Sequence, residues 1–491
     1  MAQYDAIVIG SGLGGGVCAA LLAKAGMRML VLEKNNRPGG KCTGISVKGF
    51  RSEMWPTFGI PKEAGPFVDA FRLLGIESKL DVRPGSFALM YRRQGGKWTT
   101  SVDEPGKKVE DPTANMFDAW GLDAAEREVS LRILAEIALL TPEQLDALDD
   151  VTVRDWLAQK RDVPRPVHSF LATQSNLMAT GLYELVSISE ISRVMKVFFG
   201  STTGYPRGGY GRLIDDVVGV LEAHGGKLLT SARVEKITVE EGRVTGVATK
   251  DGAFTAPIVV SNAGIQPTVL KLAGVEHFDK SYVGYVRDIV PSLGFTNMRY
   301  IFSKPVMEHG VYVMTTEDSF LDLERLERMR DGTMPDDISV NGLVPCHFDP
   351  EMAPPGKQML LLGTWCTPDP NGKELKALHK KMHALFEQLF PAAVPYIERI
   401  EGHVGPAEVS SLSRDQVLPG VGGEAAGLAV TVGYCGKNKP KARSPLPGLF
   451  FVGHDAGGSG YLATHQAVSS GINVASLVHF YWMERRAVVR V

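Results

Sequence analysis

Residues Tyr4–Glu33 read YDAIVIGSGLGGGVCAALLAKAGMRMLVLE. Tyr4–Ile9 is a short apolar run, the right length for a buried parallel strand. A glycine-rich turn follows. Leu13–Ala25 then places Val17, Leu21, Leu22 and Ala25 on one side, as a helix would, and Gly26 suits its C-terminal cap. Arg28–Leu32 is a second strand, and Glu33 stands at its end. Strand, helix and strand together have the length of a parallel crossover. Gly10, Gly12 and Gly15 fit GxGxxG, with Gly14 in the same turn. The first glycine permits the tight turn, the second lets backbone approach a pyrophosphate, and the third lets helix and strand pack closely. The helix N-terminus adds free N–H groups and the positive end of its dipole. A carboxylate at the position of Glu33 accepts both ribose hydroxyls and disfavours a 2′-phosphate. A dinucleotide site is predicted here, with Lys34 beside the acid.

Two further blocks are legible. In the first, Leu213, Ile214, Val217, Val218 and Leu221 mark a helix face, ended by Gly225-Gly226. Strands are expected at Arg233–Val239 and Val244–Lys250, with a hairpin turn at Asp251-Gly252 and an apolar strand at Ile258–Ser261. In the second, Leu449–Val452 is a strand, a glycine-rich turn follows, and Ala463–Val478 reads as a helix. Thr141-Pro-Glu-Gln144 has the chemistry of a helix start. These patterns predict an α/β chain. A discontinuous Rossmann-like dinucleotide domain (1–59, 205–285 and 441–491) carries an inserted α+β substrate or lid domain (60–204 and 286–440).

The 491 residues suffice for a large core without disulfide or metal staples. Charged residues make up 22% and the formal charge is −2, so no global field favours nucleic acid. Five scattered cysteines form no CxxC pair, and no metal site is expected. The reading finds no signal peptide and no apolar run long enough to span a bilayer. A cytoplasmic location is expected, with peripheral membrane contact left open. GxSxG, HExxH and Walker A motifs are absent.

Arg37-Pro-Gly-Gly-Lys-Cys-Thr43 follows the acid directly. Glu33, Gly39, Gly40, Lys41 and Thr43 meet the pattern acid-x5-Gly-Gly-Arg/Lys-x-Ser/Thr. In this the chain resembles the flavoproteins with two dinucleotide-binding motifs, a superfamily that includes amine oxidases and phytoene desaturases. The resemblance extends to Tyr205–Gly211, to Arg233-Val234, to Ser261-Asn262-Ala263 and to Pro447–Asp455. It implies FAD, bound without a covalent link. By the same resemblance Val234 touches adenine through its backbone and Asn262 lies near the ADP. Gly453 and Asp455 contact the ribityl or pyrophosphate region, and the helix start at Ala463, Thr464 and His465 faces the flavin. His454 stands where the family often has the acid, so Asp455 is displaced by one.

The expected activity is FAD-dependent oxidoreduction at carbon–carbon bonds of an apolar isoprenoid, polyene, lipid-like or alicyclic substrate, as in phytoene desaturases and carotenoid isomerases. An unidentified electron acceptor would complete it. Isomerisation, saturation or hydration without net oxidation, amine oxidation, and an escort role without turnover are the alternatives. An amine oxidase would carry an aromatic pair before the C-terminal motif, and Tyr434 has no evident partner. His465 is the candidate proton carrier. Trp55 replaces a glycine of the family motif and would narrow the pocket. Tyr461 would wall the flavin. Met298, Met307, Met314 and Met329 either line an adaptable pocket or fill core. Lys437, Lys439, Lys441 and Arg443, with the aromatic and basic C-terminal segment Leu477–Val491, could meet anionic lipid or pack as solvated loop and docked helix.

Overall fold

The computed structural model describes residues 3–105, 112–199, 201–458 and 460–489. Arg490, the last basic residue of the C-terminal segment, lies outside them. The first apolar run forms the strand Ala6–Ile9 at the centre of a five-stranded parallel sheet. The spatial order is Lys227–Leu229, Met29–Leu32, Ala6–Ile9, Val259–Ser261, Leu449–Phe451. Ile7 faces Leu30 on one side and Val259 on the other, and Val259 faces Leu449. Every residue of the last four strands is buried. That explains why they read as apolar runs rather than as alternations. All three legible blocks of sequence supply strands to this one sheet.

One face of the sheet packs against the helices Leu13–Lys24, Gly209–Ala223 and Ala463–Val489, through Val17, Leu213, Val217 and Val474 among others. The other face carries the antiparallel strands Val234–Glu240, Arg243–Thr249 and Gly252–Thr255. Thr249 pairs with Gly252, so the turn is Lys250-Asp251. It falls one residue before the expected Asp251-Gly252, because Gly252 is recruited into the ladder.

A seven-stranded sheet forms the second layer. Its order is Ile397–Val404, Gly294–Phe302, Gln358–Cys366, Val340–Leu343, Val311–Thr316, Phe87–Arg92, Trp98–Asp103. The pairing is antiparallel except where Val311–Thr316 runs parallel to Phe87–Arg92. There the two inserted stretches of chain meet. Met298 and Met314 point to the sheet face covered by the helix Leu375–Leu389, and Met307 and Met329 join the same core. These four methionines are core residues. Strand alternation turns Met298 and Met314 away from the cavity described below. A helical cluster between 112 and 199 closes around Trp120, Ile137, Trp156 and Leu171. Within it Thr141 and Gln144 form the expected reciprocal cap.

Among the described residues no helix is long and apolar enough to cross a membrane. The C-terminal helix docks through Tyr481, whose ring meets Phe450 edge-on at 5.3 Å, while Phe480 is 63% exposed. The basic cluster does not form one patch. Lys437 pairs with Asp150 at 3.2 Å, Arg443 lies over the Tyr481 ring, and Lys439 is partly enclosed, with its pKa lowered by burial.

The glycine turn is a tight joint of the fold. A Cβ on Gly15 would stand 2.2 Å from the Gly10 carbonyl oxygen. Gly15→Ala is therefore expected to cost about 1–3 kcal/mol and to weaken flavin retention. Chemical unfolding and the flavin-to-protein absorbance ratio of the purified variant check this.

Candidate cofactor site and active site

Three loops converge at the carboxyl edge of the parallel sheet. Asn262 follows the strand Val259–Ser261, and its side chain lies between the first and last glycine loops. A Cβ on Gly12 would meet Asn262 Nδ2 at 2.9 Å, and one on Gly453 would meet Asn262 Oδ1 at 2.5 Å. Gly14 is equally confined, 2.8 Å from Gly453 Cα by the same measure. The second loop joins them through a parallel bridge between Gly12 and Gly39. No side chain caps the first helix at Gly12, so its leading N–H groups remain for a ligand.

The charged groups fit a dinucleotide. Glu33 is 3% exposed. One of its oxygens accepts from Ser11 N and Oγ (3.0 and 2.7 Å), the other from Asn35 N and Nδ2 (both 2.9 Å). This fixes the carboxylate on the cavity wall. Lys41 lines the same cavity, and burial lowers its pKa to about 8. No carboxylate lies within ion-pair distance of it among the described residues. An anionic pyrophosphate would restore the favourable setting for its charge. Lys34, Arg233 and Lys271 converge on Asp415 at 3.2, 2.9 and 2.8 Å. Lys34 thus reaches the cavity as part of an ion cluster, and Val234 lines the cavity beside it.

The Asp455 carboxylate is bonded within the protein. Its Oδ2 accepts from Ile265 N (3.0 Å) and Arg414 Nη1 (2.9 Å), and its Oδ1 from Leu428 N (3.0 Å). The carboxylate is spent on the protein, so its side chain holds Arg414 and two loops in place. Both Asp455 and His454 line the cavity. Burial raises the Asp455 pKa, but the Arg414 charge, His454 and the two N–H groups outweigh that and hold it at about 2. Arg414 also stands 3.5 Å from the fully buried Glu424. His454 is pushed down to about 3, by burial first and the Lys439 charge second.

Ala463, Thr464 and His465 line the cavity at the start of the last helix, and Ala463 has a φ of +47°. A non-glycine residue in this left-handed region stores strain at a ligand site. The His465 ring packs edge-on to Phe67 at 5.2 Å, and its Nε2 donates to the Gly59 carbonyl at 3.1 Å. Burial lowers its pKa to about 4. It is therefore neutral at pH 7, with the Nε2 proton committed to the backbone. Tyr461 walls the cavity and also a separate surface groove with Pro66, Leu73 and Ile472.

Beyond the glycine loops the cavity continues, to about 1400 Å3 in all. Trp55 stands on its wall, edge-on to Phe295 (5.7 Å), which is edge-on to Trp365 (4.8 Å). Gly363 makes room for this stack, since a Cβ there would strike the Phe295 ring at 2.3 Å. The loop bearing Trp55 is anchored by Glu53, fully buried, which accepts from Tyr205 OH (2.5 Å) and Tyr210 N (2.7 Å). Tyr434 is not part of the wall. It packs against Tyr285 at 5.4 Å in another core.

A parallel sheet with this loop edge and a cavity of this size fits a dinucleotide-binding protein. The model of the flavin-containing amine oxidoreductase family matches residues 13–479, and the chain belongs to that family. It is an FAD-dependent oxidoreductase of the phytoene desaturase and carotenoid isomerase-like group. A phytoene desaturase of Cercospora nicotianae is 26% identical over 450 residues, which cover 84% of this chain and 69% of that protein. An inactive all-trans-retinol 13,14-reductase of Danio rerio is 27% identical over 349 residues, 63% of this chain but only 56% of that protein. An oxidoreductase structure from Methanosarcina mazei shares the fold, with a TM-score of 0.73 at 21% identity over 96% of this chain and 99% of its own.

Sequence reasoning missed Arg414, Asp415 and Glu424. They sit in a stretch without periodicity, and these charged partners are 10–381 positions apart. Because the folded pKa of Asp455 lies below the ordinary 3.8, its ionised form stabilises the fold fully above about pH 4. That contribution is lost as pH falls toward 2. In Asp455→Asn the acid limb of the stability curve between pH 4 and 2 should be shallower, from a lower plateau, as measured by urea unfolding at stepped pH.

Proposed function

We propose that the enzyme acts on carbon–carbon bonds of an apolar isoprenoid, polyene, lipid-like or alicyclic substrate, by hydride transfer between a substrate carbon and flavin N5. One observation carries this reading. A single cavity joins the glycine loops to a chamber walled by Leu89, Met116, Trp120, Leu134, Phe170 and Met195. Its volume exceeds the roughly 300–1,000 Å3 of a single small-ligand site. A dinucleotide and an elongated guest can share it end to end.

FAD, when bound, supplies the hydride acceptor or donor. The chain's own residues bind, orient and exclude water. The apolar walls hold the guest by burial, at about 25 cal/mol per Å2 of apolar surface removed from water. Trp55, Phe295 and Trp365 restrict how the guest lies at the junction of the two compartments. His465 donates its Nε2 proton to Gly59 and so orients that loop. The wall residues from the helix Arg165–Leu177 include no carboxylate, ammonium, guanidinium or imidazole, and of those from the sheet only Asp103, exposed at the end of its strand, is charged. That favours a neutral hydrocarbon framework over an amine. The position of Tyr434 outside the cavity also weighs against amine oxidation. The names of the Cercospora and Danio relatives point the same way.

Anaerobic addition of apolar alkenes should bleach the flavin absorbance, and primary amines should leave it unchanged. Bleaching by amines alone would overturn the reading. Trp55→Ala should shift the relative reduction rates toward bulkier substrates, as stopped-flow flavin reduction measures. An unchanged ranking would remove Trp55 from the selectivity of the site.

A further inference from the structure

Part of the wall at the cofactor end comes from the inserted chain. Leu412, Ser413, Arg414 and Asp415 line the cavity, as Glu33 and Arg233 do. They close the helix Pro406–Leu412, which rests on the strands Gly294–Phe302 and Ile397–Val404 of the second layer. This wall is thin. Leu412 lines the cavity and is still 38% exposed. Its hydrogen bonds to the parallel-sheet loops come from side chains. Asn35 Nδ2, which also donates to Glu33, donates to the Leu412 carbonyl at 2.7 Å. Asp415 gathers Lys34, Arg233 and Lys271 at 3.2, 2.9 and 2.8 Å. Between them Arg414, which is buried, anchors to Asp455. The Ser413 and Arg414 N–H groups turn back to the Val409 carbonyl of their own helix. Among the described residues no backbone-to-backbone hydrogen bond joins residues 412–415 to the loops of the parallel sheet. Beyond Asp415 the chain runs without helix or strand to Glu424, through Gly420 and Gly422 at φ +70° and +119°.

The glycine loops at the same end interlock around Asn262 and leave no room for a Cβ. Local opening falls to segments with exposed bonds and little backbone pairing. Partly exposed ion pairs are individually weak and are screened by salt. Three of them on one carboxylate make a fastening that holds and still parts. We infer that the segment Leu412–Asp415 is a clasp that retains FAD, with Asp415 as its fastening residue. Arg414 is the deep anchor of the clasp, and Asn35 ties its helix end to the carboxylate that faces the cofactor. FAD leaves on this side when the outer fastening parts. Asp415 thus sets how long the cofactor stays, whatever the substrate.

The test uses the FAD-loaded protein and needs no turnover. Release is followed after dilution by the rise in free-flavin fluorescence. Asp415→Asn should speed release about tenfold, as the loss of a few partly exposed ion pairs implies. Lys271→Met removes one cation that does not line the cavity, and should speed release about threefold. The two substitutions change the local charge in opposite senses. Simple attraction between nearby cations and the anionic cofactor would make Asp415→Asn keep FAD longer and Lys271→Met lose it sooner. A clasp makes both lose it sooner. Potassium chloride should speed release from the wild-type protein more than from Asp415→Asn, which lacks the pairs that salt screens. Circular dichroism and melting temperature confirm that each variant is folded, and either one alone decides if the other is not. Slower or unchanged release from Asp415→Asn would overturn the inference, as would unchanged release from Lys271→Met. An equal or steeper salt response in Asp415→Asn would overturn it too. The proposed function stands in each of these cases, since no substrate takes part.

Discussion

The cofactor edge of the parallel sheet depends on the contact of three loops around the Asn262 side chain. Gly12 and Gly15 border it from the first loop and Gly453 from the last, at distances that leave no room for a Cβ. These loops come from opposite ends of the chain. Gly471 of the last helix makes the same demand, since a Cβ there would lie 2.9 Å from the Gly14 carbonyl oxygen. The sheet order depends on this approach. Val259–Ser261 can lie between Ala6–Ile9 and Leu449–Phe451 only if the loops above them interlock without side chains. The same approach leaves the N-terminus of the first helix uncapped and open toward the cavity, a setting suited to an anionic pyrophosphate.

Buried charge fastens the periphery of that joint. Asp455 connects Arg414, Ile265 and Leu428, and Arg414 reaches on to Glu424. Glu53 does the equivalent for the Trp55 loop, through Tyr205 and Tyr210. Removing one member of such a cluster leaves an uncompensated buried charge, which costs about 3–5 kcal/mol. Both clusters adjoin the cavity, so the same bonds that hold the fold set the position of its walls. A further buried set, Asp149 and Glu190 bridged by Arg193 at 2.9 and 3.0 Å, ties the loop at Gly436 to the helical cluster. The nearness of Cys435 to its carboxylates therefore reflects an ion-pair network.

The cofactor half was legible because its physics is local. A strand, a glycine turn and a helix appear as contiguous patterns, and each glycine has a steric reason readable from the motif. The resemblance placed the remaining flavin segments, and Asn262, Gly453, Thr464 and Val234 all reach the cavity. Asp455 also lines the cavity, but its partners Arg414, Ile265 and Leu428 were not legible, because sequence gives the residue type and not its direction. The substrate half was hardly legible. Its sheet pairs residues over 200 apart, such as Phe87 with Val311, and no spacing rule records such a pairing.

The sequence by itself determined a parallel nucleotide-binding core, the glycine loops at its carboxyl edge, and the absence of a local motif for hydrolytic or metal chemistry. These follow from short-range periodicity and from the backbone freedom of a few glycines. Tertiary structure alone decided that four methionines are core, that His465 is a neutral buried ring, and that Arg414 is the partner of Asp455. It also decided that Asp415 gathers Lys34, Arg233 and Lys271. Each of these depends on which face of a strand or helix meets another element far away in the chain, and that is fixed only when the two sheets pack.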